Sequence, residues 1–242
     1  MDTPALAAVI AWIAGGFVSG MCAIGAAMIA VPAMAFFLPM HDCVLVSCIT
    51  LPFMNLATSA LHLRWCRWRA LLPMLAGCIP GSLAGFWTLK AVPEPALRIA
   101  VGLALLAFPL WNRAKPGQAR GESALAALAA GFGSGLLRTA CSFGGPPAAA
   151  YGVYAGWSPR EYLGTLGAFL LSAGLVSWVF QGWGGMYTGE VARLACHAVP
   201  AAVAGVVLAA PLAARISAQA MRRWTSAAIA CGGLACIWKA LA

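Results

Sequence analysis

The sequence predicts an all-α polytopic membrane protein of two five-element inverted repeats, with about 8–10 transmembrane or re-entrant helices broken near the midplane. Three observations predict it. Only 9% of the 242 residues are Asp, Glu, Lys or Arg, against about 25% in an ordinary soluble domain. Hydrophobic residues make up 62%, too many for a soluble surface or a disordered chain. Finally, short glycine-rich motifs recur in the same order in the two halves.

Each apolar run reads as a helix, because a backbone in lipid must satisfy its own hydrogen bonds. Runs 4–22, 43–63, 70–89, 96–111, 160–181, 191–213 and 224–241 approach or exceed the roughly 20 residues that a span needs. Runs 26–38, 123–137 and 146–155 are shorter and read as half-helices or re-entrant pieces. Trp65, Trp68, Trp87, Trp111, Trp157, Trp183, Trp224 and Trp238 fall near segment ends, as an interfacial belt requires. No basic region precedes the first apolar run, so it does not read as a signal peptide. The polar stretch 112–122 divides the chain. Residues 1–111 form the first repeat, 112–122 a cytoplasmic linker and 123–242 the second repeat.

A net charge of +9 in a soluble chain would suggest nucleic acid. Here the positive-inside rule explains it. Arg64, Arg67 and Arg69 share one loop, Arg113, Lys115 and Arg120 a second, and Arg215, Arg222 and Arg223 a third; Arg160 stands alone. These loops are placed in the cytoplasm. Lys90, Arg98, Arg193 and Lys239 then fall outside, as do Asp2, Asp42, Glu94 and Glu190. Both termini come out external. The predicted location is a membrane crossed several times, with no nucleic-acid partner.

Gly16-Phe17-Val18-Ser19-Gly20 matches Gly131-Phe132-Gly133-Ser134-Gly135, and Cys22-Ala23-Ile24-Gly25 matches Cys141-Ser142-Phe143-Gly144. Pro80–Gly85 matches Pro200–Gly205. The second half carries four extra residues, Leu136 to Thr139, between its first two motifs, about one helical turn. Five elements per half is an odd number, which inverts the second half relative to the first. Three crossings per half, with a re-entrant hairpin, would do the same. Inverted-repeat transporters hold substrate near the midplane on broken helices. Gly16 with Gly20, Gly131 with Gly135, and Gly77, Gly81 and Gly85 have the spacing that lets helices approach closely.

The candidate site follows from one segment, Arg138-Thr139-Ala140-Cys141-Ser142-Phe143-Gly144-Gly145-Pro146-Pro147. Four consecutive Gly and Pro residues break a helix. Amides from Ala148 to Tyr151 would then open a half-helix whose N-terminus favours an anion. Ser142 adds a hydroxyl, and Arg138 a charged planar donor fork suited to oxyanions. An intramembrane Arg is a functional-site hypothesis by default; the alternative is that it snorkels to the interface. The first half offers Cys22 and Gly25, where alanines at 26 and 27 predict a weaker break. Asn55, Thr50 and Thr165 are polar positions within apolar runs, open to substrate contact or to interhelical hydrogen bonding.

No carboxylate lies in the middle of an apolar segment, so an anionic or neutral substrate is favoured over a cation. If protons or another ion are coupled, His62 and His197 are the titratable candidates. Nine cysteines with no CxxC give neither a disulfide framework nor a metal site, and no cofactor is expected. Cys22 and Cys141 stand at equivalent positions beside the two breaks. They motivate an alternative function, a membrane thiol-disulfide electron carrier.

At these glycine-rich segments the sequence resembles the sulfite exporter TauE/SafE family of membrane proteins. The resemblance rests on GFVSGMCAIGAAMIAVPA, GFGSGLLRTACSFGGPPAAAY and PREYLGTLGAFLL, and spans nearly the whole chain. Phe143–Pro147 is its most family-like run. The first half departs where Gly25-Ala26-Ala27 replaces a glycine-rich run. The resemblance implies a secondary transporter, not an enzyme, that exports sulfite, an organosulfonate or a related sulfur-containing anion. Its partners would be that small anion and the lipid bilayer.

Overall fold

The computed structural model describes residues 2–22, 25–113, 121–213 and 218–241, and their side chains apart from those of 21, 22, 57, 58, 61, 108–113, 210–213 and 218–228. Among the described residues the chain is helical and has no strand. In chain order the helices are α1 (Thr3–Cys22), α2 (Ala26–Met34), α3 (Met40–His62), α4 (Trp68–Ala91), α5 (Glu94–Arg113), α6 (Ala124–Cys141), α7 (Gly145–Ala155), α8 (Pro159–Trp183), α9 (Gly189–Ala213) and α10 (Ala218–Leu241). A 3-10 turn, Leu63–Trp65, follows α3.

Among the described residues α1, α4, α6, α8 and α9 are long and apolar enough to cross a membrane. The segment 123–137, expected to be short, is corrected. It belongs to an 18-residue helix that runs on through Arg138 to Cys141. The apolar run ends at Arg138, but the helix does not. The other two short segments stay short. The nine residues of α2 and eleven of α7 rise about 14 and 17 Å, so neither alone crosses a core of about 30 Å. α5 runs on through Asn112 and Arg113 into the polar stretch; residues 114–120 lie outside the described residues.

The chain forms two compact units, and each draws on both halves of the sequence. Unit 1 is Met1–Thr50, Val92–Ala114 and Tyr187–Ala242; unit 2 is Leu51–Ala91 and Lys115–Met186.

In unit 1, α1 packs on α9 and α5 on α10. A Cβ on Gly16 would strike the Ala202 carbonyl, and one on Gly205 the Ile13 carbonyl. This is the close backbone approach that small residues permit. The end of α2 is capped by two cations. Arg98 donates from Nη1 to the Ala35 carbonyl at 3.0 Å, and Lys239 Nζ to the carbonyls of Ala35 at 2.8 Å and Phe36 at 2.6 Å. Glu94 Oε1 accepts from Arg98 Nη2 at 2.5 Å and from the Met40 amide that opens α3 at 3.2 Å. Cations therefore face a helix C-terminus, and a carboxylate faces an N-terminus. Arg98→Leu is expected to destabilise the protein by about 1.5–3 kcal/mol, read as a lowered Tm in detergent. At a second ion cluster, Arg193 reaches Asp2 at 2.6 Å and Glu190 at 2.8 Å. Its hydrogen bond holds the Asp2 carboxyl below the usual carboxylate range.

In unit 2, α4 packs on α6, and α8 on α4, α6 and α7. Gly77, Gly81 and Gly85 of α4 lie against the carbonyls of Leu128, Phe132 and Leu136, while Gly131 and Gly135 of α6 lie against those of Met74 and Cys78. α8 opens on a capping box between Ser158 and Glu161. Arg67 ties this end together, with Nε 2.9 Å from Glu122 and Nη1 3.1 Å from Glu161. Its backbone amide donates to Thr165 Oγ1 at 2.9 Å.

Candidate functional site: a buried arginine at a helix break

α6 starts from Ser123, whose hydroxyl accepts the Ala126 amide, and ends where the backbone turns left-handed at Ser142, with φ 66°. Helices usually close this way on glycine. A non-glycine residue there costs about 1–3 kcal/mol and persists only where its surroundings impose it. The Ser142 amide donates to the Arg138 carbonyl at 2.8 Å and the Phe143 amide to that of Leu137 at 3.1 Å. Ser134 Oγ donates to the Gly144 carbonyl at 2.6 Å. Arg138 lies in the last turn of α6, so the break and the charge are one local structure.

α7 opens at Gly145 with prolines in its first turn. A helix N-terminus has four amides without internal partners. Pro146 and Pro147 remove two of them, leaving those of Gly144 and Gly145. The expected donors, Ala148 to Tyr151, are therefore corrected: their amides enter the i→i−4 ladder of α7. The polar groups at the break are Arg138, the Ser142 hydroxyl and the amides of Gly144 and Gly145.

Arg138 does not snorkel: it is only 2% exposed. Two glycines make room for it. A Cβ on Gly144 would lie 2.7 Å from Arg138 Cβ and 3.2 Å from Cδ. A Cβ on Gly174 of α8 would lie 2.6 Å from Arg138 Nη2 and 2.6 Å from Cγ of Pro52 in α3. The stem thus runs along Gly144, and the guanidinium lies against Gly174 beside Pro52. Cys141, Ser142 and Phe143 are buried with it, whereas Gly145, Pro146 and Pro147 are half-buried.

Sequence reasoning missed the polar groups around this segment. Thr139 Oγ1 and Ser177 Oγ are 2.8 Å apart, and Gln181 Nε2 donates to the Thr139 carbonyl at 3.2 Å. All three residues are fully buried. The signal was available, since Gly174, Ser177 and Gln181 follow helical spacing and put three small or polar residues on one face of an apolar helix.

The other expected residues are placed differently. Asn55 is half-buried on α3 in unit 2. Thr165 holds the Arg67 amide, and Thr50 donates to its own helix at the Val46 carbonyl. Gly25 belongs to unit 1, where it precedes α2 with φ 114°. Of the break expected in the first half, residues 23 and 24 lie outside the described residues; Gly25 is left-handed, and Ala26 and Ala27 already belong to α2. The side chain of Cys22 lies outside the described residues. His62 sits 5.8 Å from the Trp65 ring, and His197 pairs through Nδ1 with the Arg193 carbonyl at 2.8 Å.

Among the described residues, five helices of membrane length define a class: a polytopic membrane protein, here with a cation buried at a helix break. The family model described as sulfite exporter TauE/SafE matches residues 8–236. The chain belongs to that family, whose members are membrane transporters and not enzymes. No curated protein and no solved structure matches it.

Proposed function

We propose that the protein is a secondary transporter exporting a small sulfur-containing anion, sulfite or an organosulfonate, across the bacterial cytoplasmic membrane. The observation that carries this reading is the burial of Arg138 at the break between α6 and α7. A charge in that position is expensive and needs a compensating task. Arg138 would anchor the anion, with Ser142 and the amides of Gly144 and Gly145 as donors. Cys141, Phe143, Pro146 and Pro147 would shape the break, and Asn55 of the same unit would complete the binding set. Protons or another ion would supply the coupling. Membership of a transporter family favours this reading over the thiol carrier based on Cys22 and Cys141.

Two patterns support the proposed topology. Arg193 pairs with Asp2 and Glu190, all assigned outside, whereas Arg67 pairs with Glu122 and Glu161 near the loops assigned inside. The packing also supports the repeat of 1–111 with 123–242: α1 docks on α9 through Gly16 and Gly205, as α6 docks on α4 through Gly131, Gly135 and Gly85.

The test is thermal unfolding of purified protein with sulfite, thiosulfate, sulfate and small sulfonates, followed by flux in proteoliposomes. A ligand at 100 times its Kd adds about 2.7 kcal/mol to the folded state. Sulfite or a sulfonate is expected to raise Tm and to be carried. If every sulfur oxyanion leaves both Tm and flux unchanged, the substrate class is wrong.

A further inference from the structure

We infer that Gly174 is a positioning residue for Arg138. It is the bare spot on α8 that sets where the guanidinium is presented. The inference rests on the reading of Arg138 as the anion anchor and adds a determinant on a different helix.

The geometry is specific. The packing glycines of unit 2, such as Gly77 and Gly131, face the backbone of a partner helix. Gly174 instead faces the tip of a side chain and a proline ring. Its missing Cβ would sit 2.6 Å from Arg138 Nη2, 3.3 Å from Cζ and 2.6 Å from Pro52 Cγ. Pro52 lies within α3 and has a rigid ring, so it cannot swing aside. The long arginine side chain must yield.

α8 itself is held in register. Ser177 and Gln181, three and seven residues beyond Gly174, hydrogen-bond the hydroxyl and carbonyl of Thr139, the neighbour of Arg138. The face that carries Gly174 is thus tied to the turn that carries Arg138. An added methyl cannot be absorbed by sliding α8 without breaking these buried bonds. A lysine at 138 would keep the charge but lack Nη2, leaving room for the methyl.

The test is a cycle of Gly174→Ala with Arg138→Lys, plus Arg138→Gln alone, read as sulfite flux in proteoliposomes. Displacing a binding group by about 1 Å can cost roughly 100-fold. Gly174→Ala is expected to raise the KM for sulfite at least about 10-fold, with kcat changed less. In the Arg138→Lys background, the same methyl is expected to change KM less than about 2-fold.

Equal penalties in the two backgrounds, or no penalty in the wild-type background, overturn the inference. If Gly174→Ala fails to fold, recovery of folding and flux in the double variant upholds the contact. Failure of the double variant where Arg138→Lys alone folds overturns it. Unchanged flux in Arg138→Gln would mark a different failure, that of the anchor reading itself.

Discussion

Arg138→Gln is expected to abolish measurable anion transport. Glutamine keeps a hydrogen-bonding head but loses the charge and the two-pronged donor. Removing one partner of a buried, hydrogen-bonded charge pair costs about 2–5 kcal/mol or more, which is on the order of 30- to several-thousand-fold in affinity. Arg138→Lys should fall between the two, since it keeps the charge and loses the planar fork. Sulfite flux and anion-induced Tm shifts measure the loss, and circular dichroism of the variants checks the fold. Wild-type flux in Arg138→Gln would remove the anchor and leave the burial of the residue without a functional account. Arg138 combines near-complete burial with a place in the last turn of a helix that ends in a left-handed serine. Either feature alone has a structural explanation.

Gly81→Leu is the second large expected effect, and it acts on assembly. The α4–α6 seam brings backbone against backbone, and a Cβ at 81 would fall on the Phe132 carbonyl. A carbonyl in a helix cannot move alone, so the helices must separate along the seam. Overpacking with flexible neighbours costs about 1–3 kcal/mol, and a rigid neighbour puts this case at or beyond the top of that range. The expected result is little folded protein in size-exclusion chromatography and a sharply reduced Tm in what remains. Gly189→Ala is the control. A Cβ there meets nothing within 4 Å, and such a change is expected to stay within about 0.5 kcal/mol. Comparable losses in the two variants would mean that the seam is not what limits stability.

Several features were legible in the sequence because they depend on single segments. The break at Phe143–Pro147 follows from four residues that cannot all continue a helix. The close-approach glycines at 77, 81 and 85 follow from their spacing. The end of α6 was harder to read, because a charge at 138 interrupts an apolar run without interrupting a helix. Burial against α8 keeps that charge inside, and no property of residues 123–137 announces it. The capping of α2 by Arg98 and Lys239 was equally hidden. Read along the chain, those two are charges near segment ends; in unit 1 they meet at the Ala35 carbonyl, though 141 positions separate them.

The sequence by itself determined that this protein lives in a membrane and that its chain is interrupted near Phe143–Pro147. Those properties come from local chemistry: how much charge a surface needs, and which residues lack the amide or side chain that a helix requires. The shape of the arginine's site was decided only by tertiary structure. Arg138 needs a gap, and the gap is the missing side chain of Gly174, 36 positions away on another helix. Helical periodicity tells which residues share a face, but not what the facing helix leaves empty. That depends on how the two backbones dock, and docking is set by bonds such as those from Ser177 and Gln181 to Thr139.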